Sequence, residues 1–187
     1  MEMNELTPEK SICLISEIIN QSRKDFKIKA EVPFLLWGAI VIVVSAVIWI
    51  LVNKTGDYRW NFLWFAIPVV AYPLNALVLR NNEPKAKYFL NELIGLTWIM
   101  FGIISCILSL VRFFVTFDVV SLILVLLGFT TIVNGLIIKH YYISACGIIV
   151  AISGPVLCAL SINPCLMMIF GSFFALLFPG IILKWSK

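Results

Sequence analysis

The chain has 187 residues, of which 61% are hydrophobic and only 13% charged, and its mean hydropathy is +1.03. Soluble domains run near half apolar and a quarter charged, so this composition argues against a water-soluble enzyme. The net charge of +4 is too small and too scattered to build a basic groove, and no nucleic-acid partner is expected.

Eleven of the charged residues fall in residues 1–33, a cytoplasmic amphipathic lead segment. No cleavable signal peptide is expected, because the polar stretch precedes the first apolar run. Residues 7–29 read as a helix, with Thr7 as N-cap and Pro8 at the first helical position. Ile12, Ile15, Ile19 and Phe26 recur at helical spacing. Lys24 and Lys27 belong to the basic second half. The segment is either an interfacial helix on the inner leaflet or a docking or dimerisation helix for a cytoplasmic partner.

Residues 34–187 form the transmembrane domain. About 20 apolar residues cross the hydrocarbon layer, and the uncharged runs supply six spans, at about 34–52, 61–79, 93–111, 119–138, 141–160 and 165–183. Ser161-Ile162-Asn163-Pro164 is the turn inside the last long run. The fold class is therefore all-α: a polytopic membrane protein with six transmembrane helices as three hairpins, plus an N-terminal amphipathic helix.

Six spans put both termini on one side. That side collects Lys10, Arg23, Lys24, Lys27, Lys29, Arg80, Lys85, Lys87, Lys139, Lys184 and Lys187, against Lys54, Arg59 and Arg112 on the other. The positive-inside rule places both termini in the cytoplasm. Trp37, Tyr88, Tyr141, Tyr142 and Trp185 mark the inner boundary. Trp49, Tyr58, Trp60 and Trp64 mark the outer one.

Even-numbered spans end alike: Asn75-Ala76-Leu77-Val78-Leu79-Arg80, Asn134-Gly135-Leu136-Ile137-Ile138-Lys139, and Pro179-Gly180-Ile181-Ile182-Leu183-Lys184. This predicts a repeat of hairpins over 34–80, 93–139 and 141–184, each closing on a cation at the inner headgroups. In the fifth span, Ser144, Gly147, Ala151, Gly154 and Cys158 make a small-residue stripe, which predicts close packing against the sixth. Pro68, Pro73, Pro155 and Pro179 are expected to distort their helices, the second span most of all.

No ionisable residue lies deep in a span, which argues against ion-coupled transport. Asp118 and Arg112 flank the outer loop between the third and fourth spans, where a weak pair is expected. His140 is the only histidine and has no carboxylate neighbour in sequence. No zinc, phosphate-loop or nucleotide motif appears. Catalytic residues, metals and cofactors are therefore expected to be none. Asn75, Asn134, Thr97 and Thr130 (with Thr131 beside it) either make interhelical hydrogen bonds or line a pocket for a small solute. Cys158 and Cys165 flank the outer turn and either bridge in an oxidising compartment or pack as small apolar residues.

A polar amphipathic lead followed by a first span opening Phe34-Leu35-Leu36-Trp37-Gly38 resembles small bacterial six-helix inner-membrane proteins of unknown function. The hairpin cadence is similar to HdeD-like membrane proteins. Size and span count look like the substrate-binding subunits of energy-coupling-factor vitamin transporters. These resemblances imply an inner-membrane protein without assigned chemistry. The expected function is a non-enzymatic accessory or regulatory subunit acting through a protein partner or a second copy, with the lipid bilayer as its surroundings. The alternative is a small-solute-binding component of a transporter.

Overall fold

The structure, a computed structural model, describes residues 8–79 and 89–185. Every regular element among them is helical. They are α1 (Pro8–Thr55), a 3₁₀ segment (Tyr58–Phe65), α2 (Ala66–Leu79), α3 (Phe89–Val111), α4 (Val119–Ile137), α5 (Tyr141–Ala159), α6 (Pro164–Ser172), a π turn (Phe173–Leu177) and α7 (Phe178–Trp185). Among the described residues, six helical stretches are long and apolar enough to cross a membrane: Glu31–Thr55, Tyr58–Val78, Glu92–Val111, Val119–Ile137, Tyr141–Ala159 and Pro164–Trp185.

The lead segment and the first span are not separate helices. They form one 48-residue helix that passes through Pro33. Proline there withholds one backbone bond and leaves the helix otherwise intact. At 1.5 Å per residue, residues 8–30 add about 35 Å of helix ahead of the first span. Thr7 and the residues Arg80, Lys85, Lys87, Tyr88 and Lys187, expected at the inner side, lie outside the described residues.

The second crossing is two different helices in series. Its first third is the aromatic 3₁₀ segment, and α2 alone has 14 residues, too few for the hydrocarbon layer. Pro68 is the third residue of α2. It follows directly on the change from 3₁₀ to α-helical winding. Pro73 is the interior proline.

The closest pairing in the bundle is α4 with α5, not α5 with the sixth span. A Cβ added at Gly128 would lie 2.5 Å from the Ala151 nitrogen and 2.6 Å from the Gly147 oxygen. One at Gly147 would lie 2.7 Å from both the Gly128 oxygen and the Ile132 nitrogen. One at Gly154 would lie 2.7 Å from the Ser121 oxygen, and one at Gly135 2.6 Å from the Ser144 nitrogen. The stripe of α5 therefore meets a matching row on α4, Ser121, Gly128 and Gly135, spaced by seven residues. Spacing by seven keeps a row on one face over the length of a helix. The pairing crosses the boundary between the second and third expected hairpins.

The link between the two helices is short because α4 stops abruptly. Lys139 takes a left-handed φ of 53°. The His140 N–H then donates to the Gly135 carbonyl (2.8 Å) and the Lys139 N–H to the Leu136 carbonyl (3.1 Å). That is the Schellman arrangement. It recurs after α5, where Ser161 has φ 55°. There the Ile162 N–H donates to the Leu157 carbonyl and the Ser161 N–H to the Cys158 carbonyl. Asn163 then caps α6 through the Cys165 N–H (2.9 Å), with Pro164 opening the helix.

The sixth crossing is the bundle's axis: half of its most apolar window is buried inside the protein, against 6% for the third crossing. It packs antiparallel on α1. Gly38 admits Leu176 and Leu177, and Gly180 admits Leu35. Phe34 meets the Trp98 ring edge-on at 5.7 Å, which leans α3 on α1. The π turn has a local cause. Pro179 supplies no amide for the Ala175 carbonyl, and its ring would crowd that carbonyl in a regular α-helix. Widening the preceding turn, so that the Phe178 N–H reaches Phe173, relieves the crowding.

Candidate functional site

The polar side chains of the interior do not converge. Asn134 is fully buried on α4 and faces Thr97 of α3. The Thr97 hydroxyl lies 2.8 Å from the Ile94 carbonyl and 3.0 Å from the Asn134 side-chain oxygen. A hydroxyl has one hydrogen, so it donates to only one of them. Turning the Asn134 amide by half a rotation resolves this: Thr97 donates to Ile94, and Asn134 Nδ2–H donates to Thr97 Oγ1. The rotation also partners a buried amide nitrogen that otherwise has no acceptor.

Asn75 sits on α2, which packs on α1 and the 3₁₀ segment and makes no substantial contact with α4. A single site lined by both Asn75 and Asn134 is thus not assembled in this arrangement. The Asn75 side-chain oxygen is buried without a partner. Thr130 and Thr131 return their hydroxyls to their own helix, at Leu126 (2.9 Å) and Leu127 (2.8 Å). The interhelical link between α4 and α5 comes instead from Ser144, which donates to the Ile132 carbonyl (3.3 Å). Sequence reading missed Ser172, a fully buried hydroxyl without a partner at the head of the π turn.

Cys158 and Cys165 are free thiols, and no disulfide joins them. The Cys158 thiol, at the end of α5, lies near the Asp118 carboxylate. Asp118 is the N-cap of α4 and accepts from the backbone N–H groups of Val120 (3.1 Å) and Ser121 (3.2 Å). Both bonds close the first turn of α4. Among the described residues, no three His, Cys, Asp or Glu side chains group as metal ligands.

The lead helix places its apolar residues in the open. Ile12 is 68% exposed and Ile15 56%, and every side chain from Ile12 to Ile18 is exposed. Ile19 is half-buried. The side chains of Lys24, Phe26 and Lys27 lie outside the described residues. No protein-family model, curated protein or solved structure matches this chain.

Proposed function

We propose that this protein is a non-enzymatic accessory or regulatory subunit of a bacterial inner membrane, with both termini cytoplasmic, acting through a protein partner. The contact is the lead helix. What supports this reading is the single helix Pro8–Thr55. It joins an exposed apolar stripe, Ile12 and Ile15, to a crossing that packs on the bundle's axis. A rigid continuation of a membrane span is suited to carry a docking face away from the bilayer. An interfacial helix would need a break near Pro33 to lie along the surface. The solute-binding alternative has weaker support, because α4 and α5 close on each other through glycines and Asn75 and Asn134 stand apart.

Deleting residues 7–29 tests the reading. The truncated chain is expected to insert normally, judged by membrane extraction, and to lose the partner that co-purifies with the full chain. A partner retained in equal amount by the truncated chain overturns the proposal.

A further inference from the structure

At the end of α1 far from the N-terminus, four hydrogen bonds meet at one corner. The Thr55 hydroxyl donates to the Leu51 carbonyl (2.7 Å). It accepts from the Trp60 indole Nε1–H (3.0 Å) and from the Asp57 backbone N–H (3.2 Å). Asp57 Oδ1 in turn accepts from the Arg59 backbone N–H (2.9 Å). Gly56, at φ 67°, lets the chain turn into this corner.

The corner frames a hollow of about 360 Å³ lined by Asp57, Arg59, Trp60, Phe62, Leu63 and Ala66. One carboxylate and one guanidinium share its wall, and no ion pair among the described residues joins them. Its other walls are aromatic and aliphatic. The first crossing ends at Thr55 and the second begins at Tyr58, so the hollow lies where hydrocarbon gives way to headgroups. Tyr58, Trp60, Phe62 and Phe65 are exposed around it, as expected of rings at that depth. Phe62 also stacks on Phe113 at 6.1 Å, which braces the wall from the loop after α3.

We propose that this hollow binds the headgroup of a zwitterionic phospholipid carrying a primary ammonium group. The phosphate lies on Arg59, whose planar fork suits phosphate oxygens. The ammonium lies on Asp57 and against the face of Trp60. Phe62, Leu63 and Ala66 receive the glycerol and first acyl carbons. An anionic headgroup without an ammonium leaves Asp57 uncompensated and is disfavoured. A quaternary ammonium offers Asp57 no N–H donor. The site is independent of the lead helix, which lies at the other end of α1.

The test is native mass spectrometry of the full chain in detergent, titrated separately with phosphatidylethanolamine and phosphatidylglycerol. One tightly held phosphatidylethanolamine is expected, bound about tenfold more tightly than phosphatidylglycerol. Arg59→Gln and Asp57→Asn are each expected to weaken it about tenfold, Arg59→Lys to weaken it less than Arg59→Gln because the charge stays and the fork is lost, and Arg112→Gln to leave it unchanged. Asp57→Asn also erases the preference between the two lipids. Equal binding of both lipids by the unaltered protein overturns the proposal. So does unchanged binding in Arg59→Gln, or displacement by soluble glycerophosphoethanolamine at lipid-like concentrations.

Discussion

Gly128→Ala tests the packing of α4 on α5. The added methyl would start 2.5 Å from a backbone nitrogen and 2.6 Å from a backbone oxygen, neither of which can rotate away. Ordinary contact begins at 3.4 Å, so the helices must separate by about 0.9 Å. Overpacking of this kind costs about 1–3 kcal/mol. Alanine returns up to about 1 kcal/mol of helix propensity over glycine, so a net loss of about 1–2 kcal/mol is expected. Gly147→Ala acts on the same approach. Once the first methyl has separated the helices the second finds room, so the double variant should lose less than the sum of the two. Gly102→Ala is the control, because nothing lies within 4 Å of its added Cβ. The assay is reversible unfolding in mixed micelles with rising SDS fraction, followed by circular dichroism. A Gly128→Ala protein as stable as Gly102→Ala would refute the packing argument.

Three further outcomes follow from the same geometry. Thr97→Val and Asn134→Leu should show a coupling of about 0.6–1 kcal/mol in a double-mutant cycle in the same unfolding assay, with the double variant less destabilised than the sum. Zero coupling means that the α3–α4 hydrogen bond contributes nothing. Lys139→Gly should raise stability by about 1 kcal/mol, since it removes the left-handed strain at the end of α4. Alkylation of the denatured protein without reductant, read by intact mass, should label all five cysteines; three labels would reveal a bridge between Cys158 and Cys165.

The six crossings were legible because charge is excluded from runs of the right length, a constraint that hydrocarbon imposes on every residue of a span. Partner choice was harder to read. The stripe of α5 was visible, but small residues say only that something approaches closely. The answer lies in Gly128 and Gly135, seven apart on α4, and in sequence Gly135 reads as part of a repeated helix end. The boundary after residue 33 rests on a shift in composition. A change from charged to apolar side chains does not end a helix, and the backbone continues helical through Pro33. Asn75 and Asn134 looked equivalent because they occupy the same place in similar helix ends. Only the packing of α2 away from α4 separates them. Opposite charge suggests Asp118 as a weak partner for Arg112, whereas the free amides at the head of α4 have the nearer claim on its carboxylate.

The most direct test of the functional account is native mass spectrometry of the full chain released gently from its own membrane, beside the chain lacking residues 7–29. The account predicts a protein partner in fixed stoichiometry on the full chain and its absence from the shortened one. A discrete small solute on both chains, with no protein partner on either, would contradict it and support the transport reading.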